Sequence, residues 1–142
     1  MSPSRGKSLS AALRRPIPLI FALVATVAVV AADAVTRTAA SGVYTADQNA
    51  RGKKGYQNEC ARCHGETLGG GEDAPALVGK EFLKNWTDKS LGEFVEYTRK
   101  EMPSDGPGKL SRKLCTDITA FLLNANGFPA GETELDPNID SL

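Results

Sequence analysis

The sequence predicts a small all-α domain, and three observations support this fold class. Apolar residues recur at helical spacing in stretches that begin with a serine or threonine N-cap. The segments between these stretches are rich in glycine and proline, which favour loops. Little of the chain alternates apolar and polar residues as a half-buried strand does. With 142 residues, the chain has room for one domain.

The first 32 residues have the pattern of a secretory signal peptide. Four basic residues come first: Arg5, Lys7, Arg14 and Arg15. An uncharged apolar run follows over residues 17–32, and Val30-Ala31-Ala32 supplies the small residues of a cleavage site. The other interpretation is an uncleaved anchor, although the run is shorter than the ~18 apolar residues expected of a spanning helix. We therefore expect a periplasmic protein, attached to the membrane only if this segment is retained.

The folded domain is predicted to lie between two loose ends. Residues 33–44 are rich in Ala, Thr and Ser, and we expect them to form a flexible lead-in. Thr45 is the expected N-cap of a first helix that runs to Glu59. Residues 131–142 are polar and are predicted to form a loose tail. The domain itself then covers residues 45–130.

Two further helices follow from their caps and their stop signals. Ser90-Leu91-Gly92-Glu93 has the spacing of a capping box and opens the second helix. That helix must end near Glu101, because Pro103 disfavours the helical conformation at the residue before it. Ser111 is the expected N-cap of the last helix, and Gly127 is a natural stop for it.

The strongest chemical signal is Cys60-Ala61-Arg62-Cys63-His64, a C-x-x-C-H run typical of c-type haem attachment. Two thiols about one helical turn apart can each add to one haem vinyl group, and the histidine is then held as the proximal iron ligand. His64 is the only histidine in the chain. The sequence therefore predicts one haem c, attached covalently through Cys60 and Cys63. A buried haem would also supply apolar interior that three small helices lack.

The sixth iron ligand is inferred by elimination. The chain has two methionines, and Met1 lies in the predicted signal peptide, so Met102 is the expected ligand. A thioether ligand raises the reduction potential and closes the open coordination position, which suits electron transfer. The other interpretation makes Met102 a packing residue, with water, a lysine or nothing at the sixth position.

Trp86 and Cys115 each have two open interpretations. Trp86 is expected to pack on the haem and donate its indole N–H to a propionate, but an ordinary core tryptophan has the same sequence signal. Cys115 is an odd cysteine in an exported chain, which permits a reactive thiol or an intermolecular crosslink. We expect instead a small buried apolar residue, since free cysteine is often buried.

Two other classes of protein fit part of the cysteine pattern. A structural zinc module could use Cys60, Cys63, His64 and Cys115, but adjacent ligands at 63 and 64 would strain a tetrahedral site. A thiol oxidoreductase could use Cys60 and Cys63 as a dithiol, but that motif normally follows a strand. Neither class explains the export signal together with the Met102-Pro103 step.

Charge and composition exclude further functions. Four of the 17 basic residues lie in the predicted signal peptide, so residues 33–142 carry 13 basic and 17 acidic side chains, a net charge of −4. An acidic exported domain is poorly suited to binding nucleic acid or an anionic membrane surface. No group of acid, base and nucleophile stands out, so we expect an electron carrier without catalytic residues.

The chain resembles a class I c-type cytochrome over roughly residues 45–135. In that family a small residue and an aromatic residue, here Gly52 and Tyr56, lie where the first and last helices cross, and Ile118 and Phe121 match their partners. Residues 75–79 resemble the family's P-x-L-x-G stretch. The resemblance implies that the Pro75 carbonyl accepts a hydrogen bond from the proximal histidine and that Leu77 packs on the haem. It also implies a cytochrome c fold of three to five helices around one covalently bound haem.

The segments after Met102 resemble those of a bacterial subgroup of this family. The step Met102-Pro103, the run from Pro107 to Ser111 and the ending Asn126-Gly127-Phe128-Pro129-Ala130-Gly131 carry this likeness. Its members include small soluble carriers and the cytochrome subunits or domains of periplasmic dehydrogenases. The resemblance thus implies redox partner proteins. It also implies that the chain is either a shuttle between a donor and a downstream acceptor or the electron-accepting subunit of a quinoprotein or flavoprotein dehydrogenase.

Overall fold

Five α-helices form in the part of the chain that this computed structural model describes, residues 37–138. They are α1 (Ala46–Glu59), α2 (Ala61–His64), α3 (Lys80–Trp86), α4 (Leu91–Glu101) and α5 (Arg112–Ala125), preceded by one 3₁₀ turn (Ala39–Ser41). No strand occurs within residues 37–138, and no helix there is long and apolar enough to cross a membrane. The all-α prediction is confirmed. The predicted signal peptide, residues 1–32, lies outside the described residues.

The three helices expected from the sequence begin at the predicted caps. The Thr45 side chain accepts a hydrogen bond from the backbone N–H of Gln48, and Ser111 caps α5 in the same way. Ser90 and Glu93 form a complete capping box at the start of α4. The short helices α2 and α3 were not predicted. No residue of α3 is fully buried and no side chain caps it, so it lacks the signals that reveal a helix in a sequence.

The crossing of α1 and α5 forms the centre of the molecule. At Gly52 the helices approach so closely that an added Cβ atom would lie 1.8 Å from the carbonyl oxygen of Asp117. Next to this contact, the rings of Tyr56 and Phe121 lie 5.3 Å apart between centroids. Ile118, 1 % exposed, packs in the same cluster. The helix crossing that the resemblance implied is therefore present, with these residues in contact.

Parts of both segments that were predicted to be loose are packed against the domain. Val43 and Tyr44 are fully buried, and the Tyr44 hydroxyl donates a 2.6 Å hydrogen bond to the Phe128 carbonyl. The N–H of Gly131 donates in turn to the Tyr44 carbonyl at 2.7 Å. The expectation of a flexible lead-in over 33–44 and a loose tail over 131–142 therefore does not hold at Val43, Tyr44, Gly131 and Leu135. Each segment is stabilised by the opposite end of the chain, a contact that local composition does not reveal.

A buried glutamine of α1 holds the C-terminal segment. The Gln48 amide donates to the Leu135 carbonyl at 3.0 Å and accepts from the Leu135 N–H at 2.8 Å. Both residues are 1 % exposed. The side chain therefore pairs with the Leu135 backbone as a neighbouring strand would.

We expect Gln48→Ala to lower the free energy of unfolding by about 1–3 kcal/mol, because it leaves two buried backbone groups without partners. Denaturant unfolding of the purified protein measures this loss. Gln57→Ala is the matched control, since Gln57 is exposed on the same helix and should change stability by less than about 0.5 kcal/mol. Equal losses in the two variants would contradict the pairing.

Candidate functional site

All seven residues predicted to contact the cofactor line one cavity of about 560 Å³. They are Cys60, Cys63, His64, Pro75, Leu77, Trp86 and Met102. The cavity also contacts Ile118 and Leu122 of α5, so the core of the protein forms part of its wall. Its volume lies within the range of roughly 300–1,000 Å³ that is usual for ligand and cofactor pockets.

The two cysteines and the histidine lie within one helical turn. Cys60 lies between α1 and α2, and the backbone N–H of His64 donates to the Cys60 carbonyl at 3.0 Å, which closes the turn of α2. Both thiols are free and half-buried at the cavity wall. Burial, with a smaller effect of the neighbouring Glu59 carboxylate, raises the pKa of Cys60 to about 11. The thiol is therefore protonated at neutral pH, unlike the low-pKa cysteine of a dithiol catalyst.

The His64 ring is oriented by a single hydrogen bond. Its Nδ1 atom lies 2.8 Å from the Pro75 carbonyl oxygen. Because a carbonyl oxygen only accepts, Nδ1 must carry the proton, and in the neutral ring Nε2 keeps its lone pair. His64 is buried and lines the cavity. The contact that the resemblance implied for Pro75 thus leaves the second nitrogen able to bind a metal ion.

Gly70 allows the Pro75 segment to come this close. Its φ angle is +75°, and an added Cβ atom would lie 2.6 Å from the Ala76 nitrogen and 2.7 Å from the Pro75 carbonyl carbon. The N–H of Gly70 also donates to the His64 carbonyl at 2.9 Å. A residue with a side chain at position 70 would push the Pro75 peptide away, so glycine is required for this geometry.

Met102 lies in extended backbone directly after α4 and lines the same cavity. Two ion pairs connect the loop that follows it to the region of the cysteines. Asp105 pairs with Arg62 of α2, and Lys109 pairs with Glu59 at 3.4 Å. The predicted sixth ligand is therefore carried by a loop that is tied to the helical turn bearing the predicted proximal ligand.

Trp86 packs between aromatic side chains and leaves its polar edge free. Its ring meets Phe94 edge-on at 4.5 Å and Tyr97 at 5.3 Å between centroids. Within residues 37–138 the indole N–H has no protein acceptor, although the residue lines the cavity.

Phe82 and Asn85 of α3 also line the cavity and were not found from the sequence, because α3 itself has no periodic signal.

Cys115 is fully buried between Val95 and Leu110, which confirms the expectation of a small core residue. Burial raises the pKa of its thiol to about 11. We expect a bulky thiol reagent to modify Cys115 in the native protein far more slowly than in the denatured protein. Peptide mass spectrometry of the wild-type protein, which locates the label on Cys115 separately from Cys60 and Cys63, would measure this rate. Equal rates in the two states would contradict the burial.

The described residues do not support the zinc alternative. Within residues 37–138 no three His, Cys, Asp or Glu side chains come together as a metal-binding cluster. The thiol oxidoreductase alternative is not supported either. Its cysteine motif normally follows a strand, whereas Cys60 follows helix α1. The arrangement that remains is an apolar cavity that offers two thiols, one imidazole and one thioether.

Comparison with known proteins supports this chemistry. The model of the family described as "Cytochrome C oxidase, cbb3-type, subunit III" matches residues 47–122, more than half of the 142-residue chain. Searches of curated proteins and of solved structures found no match. The matched range holds α1 to α4 and most of α5, and with them all seven cavity residues predicted from the sequence. The chain therefore belongs to this family and is a class I c-type cytochrome with a small all-α fold.

Proposed function

We propose that the protein is a periplasmic electron carrier with one haem c, attached through Cys60 and Cys63 and ligated by His64 and Met102. The observation that carries the proposal is the convergence of these four side chains on one cavity. Their chemistry fits the group, since two thiols and an imidazole of suitable tautomer lie on one turn, and a thioether lies on the wall of the same cavity. The haem, when bound, supplies an iron that changes between the ferric and ferrous states.

The protein's own residues hold the group and control its surroundings. Cys60 and Cys63 would each hold the haem by one thioether bond, since the sulfur and the hydrogen of a thiol can add to the two carbons of a vinyl group. His64 offers Nε2, because the Pro75 carbonyl holds Nδ1. Leu77, Ile118 and Leu122 line the cavity and would keep water from the porphyrin. The indole N–H of Trp86 would be a hydrogen-bond donor for a propionate.

The proposed role is the transfer of single electrons between a dehydrogenase or another donor and a downstream acceptor. His/Met ligation favours this role, since it leaves no open coordination position for a substrate. The assignment to the periplasm rests on the signal pattern of residues 1–32 and on the attachment of haem c outside the cytoplasm.

A second candidate role is that of an electron-transferring subunit within an oxidoreductase complex. Two observations favour it: the matched family is described as a subunit of an oxidase, and the segments after Met102 resemble dehydrogenase subunits. Purification from the native membrane and periplasmic fractions under mild conditions separates the two roles. Co-elution with a larger redox protein supports the subunit, and a monomeric haem protein supports the free carrier.

The decisive test is an optical spectrum of periplasmically expressed protein, with a pyridine haemochrome of the same sample. We expect a haemochrome shifted as two thioether bonds require, and colour that stays with the protein after acid–acetone extraction. Cys63→Ala should give the haemochrome of a single thioether. Cys115→Ala is the matched control and should leave the spectrum unchanged, because Cys115 does not line the cavity. A colourless protein from cells competent in haem attachment would contradict the proposal.

A further inference from the structure

The wall of the cavity that bears Pro75 is a loop, residues 65–79, and its position depends on a few tethers. Two of them join neighbouring parts of the loop: the N–H of Leu77 donates to the Leu68 carbonyl at 2.8 Å, and the N–H of Gly71 donates to the Ala74 carbonyl at 2.9 Å. These two contacts shape the loop. Its start is joined to the core by the Tyr56 hydroxyl, which donates to the Gly65 carbonyl at 2.6 Å, and by the buried side chain of Leu68. Its end, residues 77–79, has a separate hydrogen-bonded connection to a helix.

Asn126, directly after α5, makes that connection with its side-chain amide. Its Nδ2 donates to the Leu77 carbonyl at 3.0 Å and to the Leu122 carbonyl at 2.8 Å. Its Oδ1 accepts from the N–H of Gly79 at 3.0 Å. Both amide hydrogens and the carbonyl oxygen are therefore used, and two of the three bonds go to the loop.

The tether acts close to the iron-binding nitrogen. Leu77 is two residues from Pro75, whose carbonyl holds the Nδ1 proton of His64. A hydrogen bond of this kind makes an imidazole ligand more basic, and a more basic ligand stabilises ferric over ferrous iron. Any movement of the 75–79 segment changes the length of that bond. The α5 helix is anchored independently of the loop, because its crossing with α1 is tightly packed at Gly52.

We propose that Asn126 is a positioning residue, which holds the Pro75 carbonyl against His64 and thereby lowers the reduction potential of the bound haem. The inference rests on the proposed function, since it requires a haem ligated by His64. Asn126 would then have two roles: its side chain caps α5, and it affects the electronic properties of the proximal ligand His64.

The test uses Asn126→Ser in the haem-loaded protein. Serine can still bond the carbonyl four residues before it, so α5 keeps its cap, but it is too short to reach Leu77 and Gly79. We expect a higher reduction potential, a shifted Nδ1–H resonance of His64 and faster hydrogen exchange at the Gly79 amide. Asn126→Ala should change all three in the same direction and provides a second measurement.

Asn124→Ala is the matched control. Asn124 is exposed near the end of the same helix, and its side chain donates to the Tyr44 hydroxyl, not to the loop. An Asn126 variant with the potential and His64 resonance of this control would overturn the inference, even with faster exchange at Gly79. Wild-type protein that takes up no haem would contradict the proposed function as well. If the wild type binds haem but the Asn126 variants have the same reduction potential, this inference alone is contradicted.

Discussion

Replacing Met102 by alanine is expected to abolish the charge-transfer band between methionine sulfur and ferric iron and to lower the reduction potential. A thioether favours ferrous iron, and its loss leaves water or no ligand at the sixth position. The expected fall is a sizeable part of the roughly 0.8 V that axial ligands span among haem proteins. Optical spectra of the oxidised protein and a spectroelectrochemical titration measure both effects. The open position should also bind added imidazole or carbon monoxide, which the wild type should bind poorly.

The matched control for this change is Ser104→Ala. Ser104 lies two residues after Met102 and also lines the cavity, but it offers no sulfur. We expect it to keep the band and the potential of the wild type. An unchanged band in Met102→Ala would show that Met102 is not the sixth iron ligand. Met102 would then be a packing residue, the other interpretation that the sequence allows. Haem attachment should survive in both variants, because the thioether bonds involve other residues.

Gly52→Ala is expected to destabilise the protein by about 3 kcal/mol or more, since it overpacks the crossing of α1 and α5. The added Cβ atom would lie 1.8 Å from the Asp117 carbonyl oxygen and 2.6 Å from its carbon. These are backbone atoms of a buried helix, so a rotamer change cannot relieve the clash. The gain in helix propensity from glycine to alanine, about 1 kcal/mol, offsets only part of the loss. Denaturant unfolding of the haem-loaded protein measures the difference.

Gly55→Ala provides the comparison on the same helix. Its added Cβ atom would lie 2.7 Å from Cδ1 of Leu114, the end of a flexible and half-buried side chain. That side chain can rotate away, so we expect a loss clearly smaller than at Gly52. Equal stability of the Gly52 variant and the wild type would show that the two helices do not cross as closely as the structure indicates.

The caps and the attachment motif could be predicted because their signals are local. Thr45, Ser90 and Ser111 each bond a backbone N–H three residues further along, so a short window of sequence contains the whole interaction. The same holds for Cys60-Ala61-Arg62-Cys63-His64, whose spacing alone places three functional groups on one turn. Helix α3 has no such cap and no buried stripe, and it could not be predicted in this way.

The ends of the domain show where local interpretation failed. Val43, Tyr44 and Leu135 are buried, although the first two end a segment rich in Ala, Thr and Ser and the third lies in a polar segment. Their partners are residues about 85 positions away in the chain, including Phe128 for Tyr44 and Gln48 for Leu135. Composition describes a segment by itself, whereas burial depends on what folds against it.

The sequence by itself determined the class of the protein, the residues proposed to attach the haem and the candidate axial ligands. These are matters of chemistry and short spacing, and a chain carries both before it folds. The family resemblance implied the contact between the Pro75 carbonyl and His64, and only the tertiary structure decided its geometry, the room that Gly70 makes for it and the tie between Asn126 and the loop. The physical reason is that these contacts join separate elements through hydrogen bonds and close packing. Their distances are set by the fold as a whole.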